Sequence, residues 1–239
     1  MCSMNLCKGC GLVKKLSKAH IIPESFFREI KKEDGDLSQY SKEYLGQPRR
    51  RPIGHYDKSI LCRDCDNEFS VVDQYGAKTL IQRESEIQKY VSNGKIYYKL
   101  TTVDGVLFRR FLAAVLWRAS ISREGMFSQV MLGGVEEIAR QIAIGERDPE
   151  VHQFAFIVTK YSPDKINNIV ASPTKFRVEH MRFIRLFFPG YIIHVKTCGR
   201  PLPDQLASAQ LGGDGDLQMV GRRLRDMDVV SEFVSLSKK

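Results

Sequence analysis

Nowhere does the sequence hold a run of about 18 apolar residues, the length a helix needs to cross a bilayer, so no membrane partner is expected. The first ten residues, MCSMNLCKGC, lack the apolar stretch of a secretory signal. The expectation is a cytoplasmic protein in a reducing compartment, where six cysteines do not build a disulfide framework. Internal repeats and low-complexity tracts are missing too, which excludes a solenoid or a fibrous chain. Gly133-Gly134 and Gly212-Gly213 have no Lys-Ser/Thr partner, which excludes a P-loop. Acidic residues are the minority: 28 Asp/Glu stand against 37 Lys/Arg, for a net charge of +9. Residues 1–60 carry about half of that excess, with 12 Lys/Arg against 7 Asp/Glu. Such a balance favours phosphate backbones and other polyanions as partners, although a solvated basic surface has the same composition.

What is present is enough for a core: 43% of the 239 residues are hydrophobic. Residues 24–32 read as a short helix. Residues 33–54 are polar, include Pro48, Pro52 and Arg49-Arg50-Arg51, and read as an insertion loop whose arginines could clamp phosphate. Ser59-Ile60-Leu61 reads as a short strand leading to Cys62. Phe69, Val72, Tyr75, Leu80 and Ile87 recur at helical spacing to about residue 91, where Asn93-Gly94 makes a turn. A strand is predicted over 95–103, with Asp104 as N-cap of an apolar core helix over 105–121. Its Arg109, Arg110 and Arg118 are expected to snorkel out of the core. A further helix is predicted over 134–144. Strands are predicted over 153–159, 167–171, 182–188 and 190–197, where β-branched and aromatic residues cluster. Residues 212–215 read as a flexible break before a short, charged, helical segment. His152, His180 and His194 are expected to be core or surface histidines. Cys2 and Cys198 stand alone and read as free thiols, with Cys2 open as a substitute ligand.

Four cysteines carry the strongest signal. Cys7-x-x-Cys10 and Cys62-x-x-Cys65 are two C-x2-C pairs, each aiming two thiolates at one ion. Gly9 and Gly11 let the chain curl tightly at the first pair. Four thiolates make a closed tetrahedral shell for structural Zn²⁺, with no open position for catalysis. The ion would clip a loop of 52 residues from Cys10 to Cys62, offsetting substantial chain entropy.

Between and beside the pairs lie Ser17-Lys18-Ala19-His20-Ile21-Ile22-Pro23 and Gly54-His55-Tyr56-Asp57-Lys58-Ser59-Ile60-Leu61-Cys62-Arg63-Asp64-Cys65-Asp66-Asn67. The cysteine pairs, His-Ile-Ile-Pro, Gly54 and the Leu-Cys-x-x-Cys junction, in that order, resemble the HNH nuclease superfamily. The resemblance covers residues 7 to about 75. It implies an α+β chain: an N-terminal zinc-bound treble-clef, or ββα-metal, module followed by an α+β region. The implied division is a zinc-stapled module over 1–92 and an α+β domain of unassigned role over 93–239. It implies a metal-dependent endonuclease that hydrolyses phosphodiester bonds, in DNA in preference to RNA, and bacterial or phage settings such as defence. His20 falls on the general-base position. Asp57 falls on the position of the Asn that orients the loop, and Asp66 on the position that binds a catalytic Mg²⁺ or Mn²⁺, with Asn67 beside it and His55 as a further contributor. Ala19 stands where many members carry an acidic metal ligand. A second expectation follows from these departures: a non-catalytic zinc-binding adaptor that grips nucleic acid. The C-terminal region is expected to serve a protein partner, position substrate or sense a signal.

Overall fold

A computed structural model describes residues 5–33, 38–40, 49–50, 54–150, 152–161, 169–178, 180–201 and 214–222. It is a mixed α+β fold. The N-terminal part begins with the hairpin β1 (Asn5–Leu6) and β2 (Val13–Lys14), which brackets the first cysteine pair. A two-stranded ribbon follows, β3 (Ala19–His20) pairing antiparallel with β6 (Tyr56–Asp57). Between them come α1 (Glu24–Glu33), β4 (Ser38–Tyr40) and β5 (Arg49–Arg50). The expected insertion loop therefore contains two short paired strands, with Arg49 and Arg50 in β5 and Arg51 outside the described residues. The strand before Cys62 lies at Tyr56–Asp57, while Lys58, Ser59 and Ile60 form a bend. Helices α2 (Arg63–Glu68) and α3 (Ser70–Ala77) follow, then a π turn over Lys78–Gln82. The helix expected to reach residue 91 thus ends at 82. Residues Gln88–Ser92 form β7, an edge strand whose five residues are all exposed. Its conformation comes from pairing with β8 (Lys95–Asp104), and no apolar alternation marks it.

Asn93 and Gly94 turn that hairpin with φ of 49° and 70°, values that a two-residue I′ turn requires and that Asn-Gly tolerates. The expected division at 92/93 falls within this turn. β7 and β8 belong to a seven-stranded sheet with β9 (Phe156–Tyr161), β11 (Thr174–Val178), β12 (Met181–Phe188), β13 (Tyr191–Lys196) and β14 (Asp214–Arg222), in the order β11-β12-β13-β9-β14-β8-β7. All neighbours are antiparallel except β14 and β9. β14 replaces the helical segment expected there, and β11 was not foreseen. A short strand, β10 (Ile169–Ala171), joins β4 in a separate sheet with β5.

The core helix α4 (Gly105–Ile121) starts where predicted, with the Asp104 carboxylate accepting from Leu107 N–H at 2.8 Å. Apolar on nearly every side, it is stable only when covered all round. It packs on β8 and β14, with α3 and α5 (Glu136–Ile144) beside it. Arg109 and Arg118 are 1% exposed, so neither snorkels. Phe26 of α1 meets Phe111 of α4 at 5.8 Å and Phe188 of β12 at 5.1 Å, which ties the N-terminal part to the sheet. The buried apolar cluster runs without a break from Cys7 to Met219. Among the described residues no helix is long and apolar enough to cross a membrane.

Candidate metal centre and the adjoining cleft

The knuckle is built by backbone. Cys7 N–H donates to Leu12 C=O and Gly11 N–H to Cys7 C=O, both at 2.9 Å, so Cys7 and Cys10 project to one side. Lys8 N–H reaches Ile60 C=O at 2.9 Å and Ser17 N–H reaches Leu61 C=O at 2.8 Å, which lays the second pair against the first. Cys62 caps the N-terminus of α2 and Cys65 sits in its first turn. Gly9 is required here: a Cβ on it would lie 2.8 Å from both the Cβ and Sγ of Cys65. The Lys8 ammonium reaches over to the last carbonyl of α4, Ile121, at 2.5 Å, a C-terminal cap that fixes the knuckle to the core helix.

The four sulfurs lie within 4.8 Å of one another, with Cys7, Cys62 and Cys65 buried and Cys10 exposed. A tetrahedral zinc with bonds of about 2.3 Å sets its sulfurs roughly 3.8 Å apart, so the group can hold a structural metal such as zinc with small adjustments. Burial acts to raise the Cys7 thiol. The N–H groups of Cys10, Cys62 and Gly9 around its sulfur outweigh that and bring it down to about 7. Cys62 N–H stands 3.2 Å from that sulfur. Burial and the neighbouring sulfurs push the Cys65 thiol up. One thiolate is thus ready beside thiols that a cation would deprotonate. Among the described residues this is the one group of three or more His, Cys, Asp or Glu ligands so closely gathered. Cys198 lies apart and half-buried, and Cys2 is outside the described residues.

The ribbon sorts the other candidates by face. Ala19 pairs with Asp57, and His20 with Tyr56. Partners directly across an antiparallel pair project together. Ala19 and Asp57 point inward and are buried, whereas His20 and Tyr56 are half-exposed, with ring centroids 5.9 Å apart. An acidic side chain at position 19 would therefore be buried in the core. The Asp57 carboxylate is occupied. One oxygen accepts from Ser59 N–H and Oγ, both at 2.7 Å, and the other from Ser122 Oγ at 2.9 Å and Arg123 N–H at 2.7 Å. Burial opposes its charge, but these donors prevail and hold it below the usual carboxylate range. Each oxygen thus takes one backbone N–H, which asparagine at this position could not match: its amide has a single acceptor oxygen, and its nitrogen only donates.

His20 Nε2 is buried and has no hydrogen-bond partner. It lies within electrostatic reach of Glu24 of α1 and Asp66 of α2. Asp66 is half-buried, and burial raises its carboxyl despite the opposing charges of Arg118 and His20. Ser17 Oγ donates to it at 3.5 Å. Asn67 is exposed on α2. His55 is buried, edge-on to Phe127 at 5.8 Å. The structure therefore brings His20 and Asp66 into electrostatic reach, sets Asn67 beside Asp66, and aims Asp57 the other way.

Comparison with protein-family models, curated proteins and solved structures returns no match.

Sequence reasoning passed over the cleft beside the ribbon. Gly54, His55, Tyr56, Asp57, Lys58 and Ser59 form one wall and Arg123 and Glu124 the other, enclosing about 400 Å³. The Lys18 and Lys58 ammoniums stand 5.5 Å and 5.8 Å from the centre of the Tyr56 ring. The signal was present as Tyr56 and Lys58 at a spacing of two, but only the register with β3 shows which face they occupy.

Proposed function

We propose that this chain is a metal-dependent HNH-like endonuclease that hydrolyses phosphodiester bonds in nucleic acid, with DNA as the preferred substrate. The supporting observation is His20: a half-exposed residue whose Nε2 is buried without a hydrogen-bond partner, held on a ribbon clamped beside the cysteine centre. The order of knuckle, ribbon and helix supports reading the N-terminal part as a treble clef, with the four cysteines holding structural zinc.

In this reading His20 takes the proton from the attacking water. Asp66 offers oxygen ligands suited to Mg²⁺ or Mn²⁺, with Asn67 adjacent, and such ions are completed by waters and substrate phosphates. When bound, that ion supplies charge neutralisation at the scissile phosphate and the leaving oxygen. Asp57 takes no part in ligation: its four hydrogen bonds hold the ribbon against the end of α4 and so position His20.

The second reading, a zinc-bound nucleic-acid adaptor, is favoured by one observation. Among the described residues no second group of three ligands stands assembled. Nicking of supercoiled plasmid with Mg²⁺ or Mn²⁺ separates the two. The nuclease reading expects cutting by the wild type and a loss of roughly 100-fold or more in His20→Ala with its zinc retained. Cutting by neither protein on DNA or RNA supports the adaptor, and equal cutting by both removes His20 from the chemistry.

A further inference from the structure

We infer that the cleft beside the ribbon is a subsite for one unpaired nucleotide, in which Tyr56 stacks on the base and Lys18 and Lys58 take the flanking phosphates. This rests on the nucleic-acid reading above and adds the substrate form: single-stranded or locally unpaired.

The cleft is built rather than incidental. The Asp57 carboxylate bonds Ser59 in one wall and Arg123 in the other, so both lips are fixed by one buried group. Its volume of about 400 Å³ falls within the range of small-ligand sites. Tyr56 is held by a strand whose partner residue, His20, meets it nearly edge-on, with 66° between the ring planes. His20 is thus not stacked flat on the Tyr56 ring.

Three cations surround that ring or line its cleft, against one lining carboxylate, Glu124, that is not tied up in hydrogen bonds as Asp57 is. Lys18, Lys58, Arg123 and Glu124 are all exposed. An exposed ammonium over a ring contributes about 0.5–1 kcal/mol. A stacked base contributes about 1–3 kcal/mol. A base therefore displaces the ammoniums from the ring, and they move to the phosphates on either side. Glu124 opposes a phosphate at its own lip, which leaves the Lys18 and Lys58 side as the path of the backbone. Within a duplex both faces of each base are covered by neighbours, so the ring can be used only by a base out of the stack.

The test is fluorescence anisotropy with a labelled 12-nucleotide single strand and the duplex of the same sequence, without Mg²⁺ or Mn²⁺. Tyr56→Ala should weaken single-strand binding about 10- to 100-fold and duplex binding less than twofold. Tyr56→Phe should bind both as the wild type does. Lys58→Ala should weaken both and lower the single-strand salt slope by about 0.7. If Tyr56→Ala does not fold, Tyr56→Leu, which keeps an apolar side chain without a ring, takes its place. The proposal is overturned if a folded, zinc-loaded Tyr56→Ala binds the single strand as tightly as the wild type, or loses equally on the duplex. A wild type that nicks plasmid while Tyr56→Ala binds normally overturns this subsite alone. A wild type that binds neither strand form overturns this and the nucleic-acid reading together.

Discussion

Asp57 shows how one buried side chain can hold both walls of a cleft. It bonds the backbone on both sides of the cleft, one N–H per oxygen. Asp57→Asn keeps the shape but leaves one of those N–H groups facing an amide donor. A buried donor left unsatisfied costs about 1–3 kcal/mol, so the unfolding free energy from urea titration should fall by that amount with the zinc retained. Position 57 was legible as important and not as inward-facing, because direction depends on a register with residue 19 that no local pattern encodes. The same holds for Tyr56, whose place opposite His20 depends on that register as well. His194 on β13 carries a separate residue-scale consequence. Its burial, with the Arg185 charge adding to it, brings the imidazole down to about 4. The unfolded chain takes up a proton near pH 6.5 that the folded chain refuses, so stability is full above pH 6.5 and is lost as the pH falls towards 4. The loss amounts to about 3 kcal/mol at about 1.4 kcal/mol per pH unit. Urea unfolding at pH 7.0 and 4.5 should show that His194→Phe loses less stability than the wild type over this interval.

Among the elements, α4 was the most legible, since its apolar run and the Asp104 cap are both local. What the run does not disclose is its hidden charge. Arg118 forms a bidentate pair with Asp73 of α3 at 2.7 Å and 2.6 Å, donates to Ala114 C=O at 3.2 Å, and lies over the Phe69 ring. Removing one partner of a buried pair leaves the other uncompensated and costs about 3–5 kcal/mol, whereas replacing both by apolar residues is close to neutral. Arg118→Met should therefore lower the unfolding free energy by about 3 kcal/mol, and Arg118→Met with Asp73→Leu should recover most of it. Calorimetric unfolding of the three proteins checks this. The ends of α3 and the edge strand β7 were harder to read. A π turn carries helical apolar spacing onwards, and an edge strand with both faces wet has no apolar alternation to betray it. β14 does alternate, burying Leu217 and Met219, but its flanking glycines and charges masked the pattern.

Across the whole molecule the N-terminal part and the sheet share one apolar core, joined by Phe26, by the Lys8 cap on α4 and by Asp57. The cysteine spacing foretold the centre, because C-x2-C turns are local and the ion chemistry fixes their number. The contact of that centre with α4 was not foreseeable, since it depends on tertiary packing across more than 100 residues. In the proposed reading the centre acts as a closed frame that holds the ribbon carrying His20, with chemistry kept away from the zinc itself. The coordination shell of the purified protein tests this most directly, by X-ray absorption at the zinc edge. The expected result is one zinc per chain with four sulfurs at about 2.3 Å. A shell of three or fewer sulfurs with an oxygen at about 2.0 Å would leave an open position, move the chemistry to the zinc, and contradict the role assigned to His20.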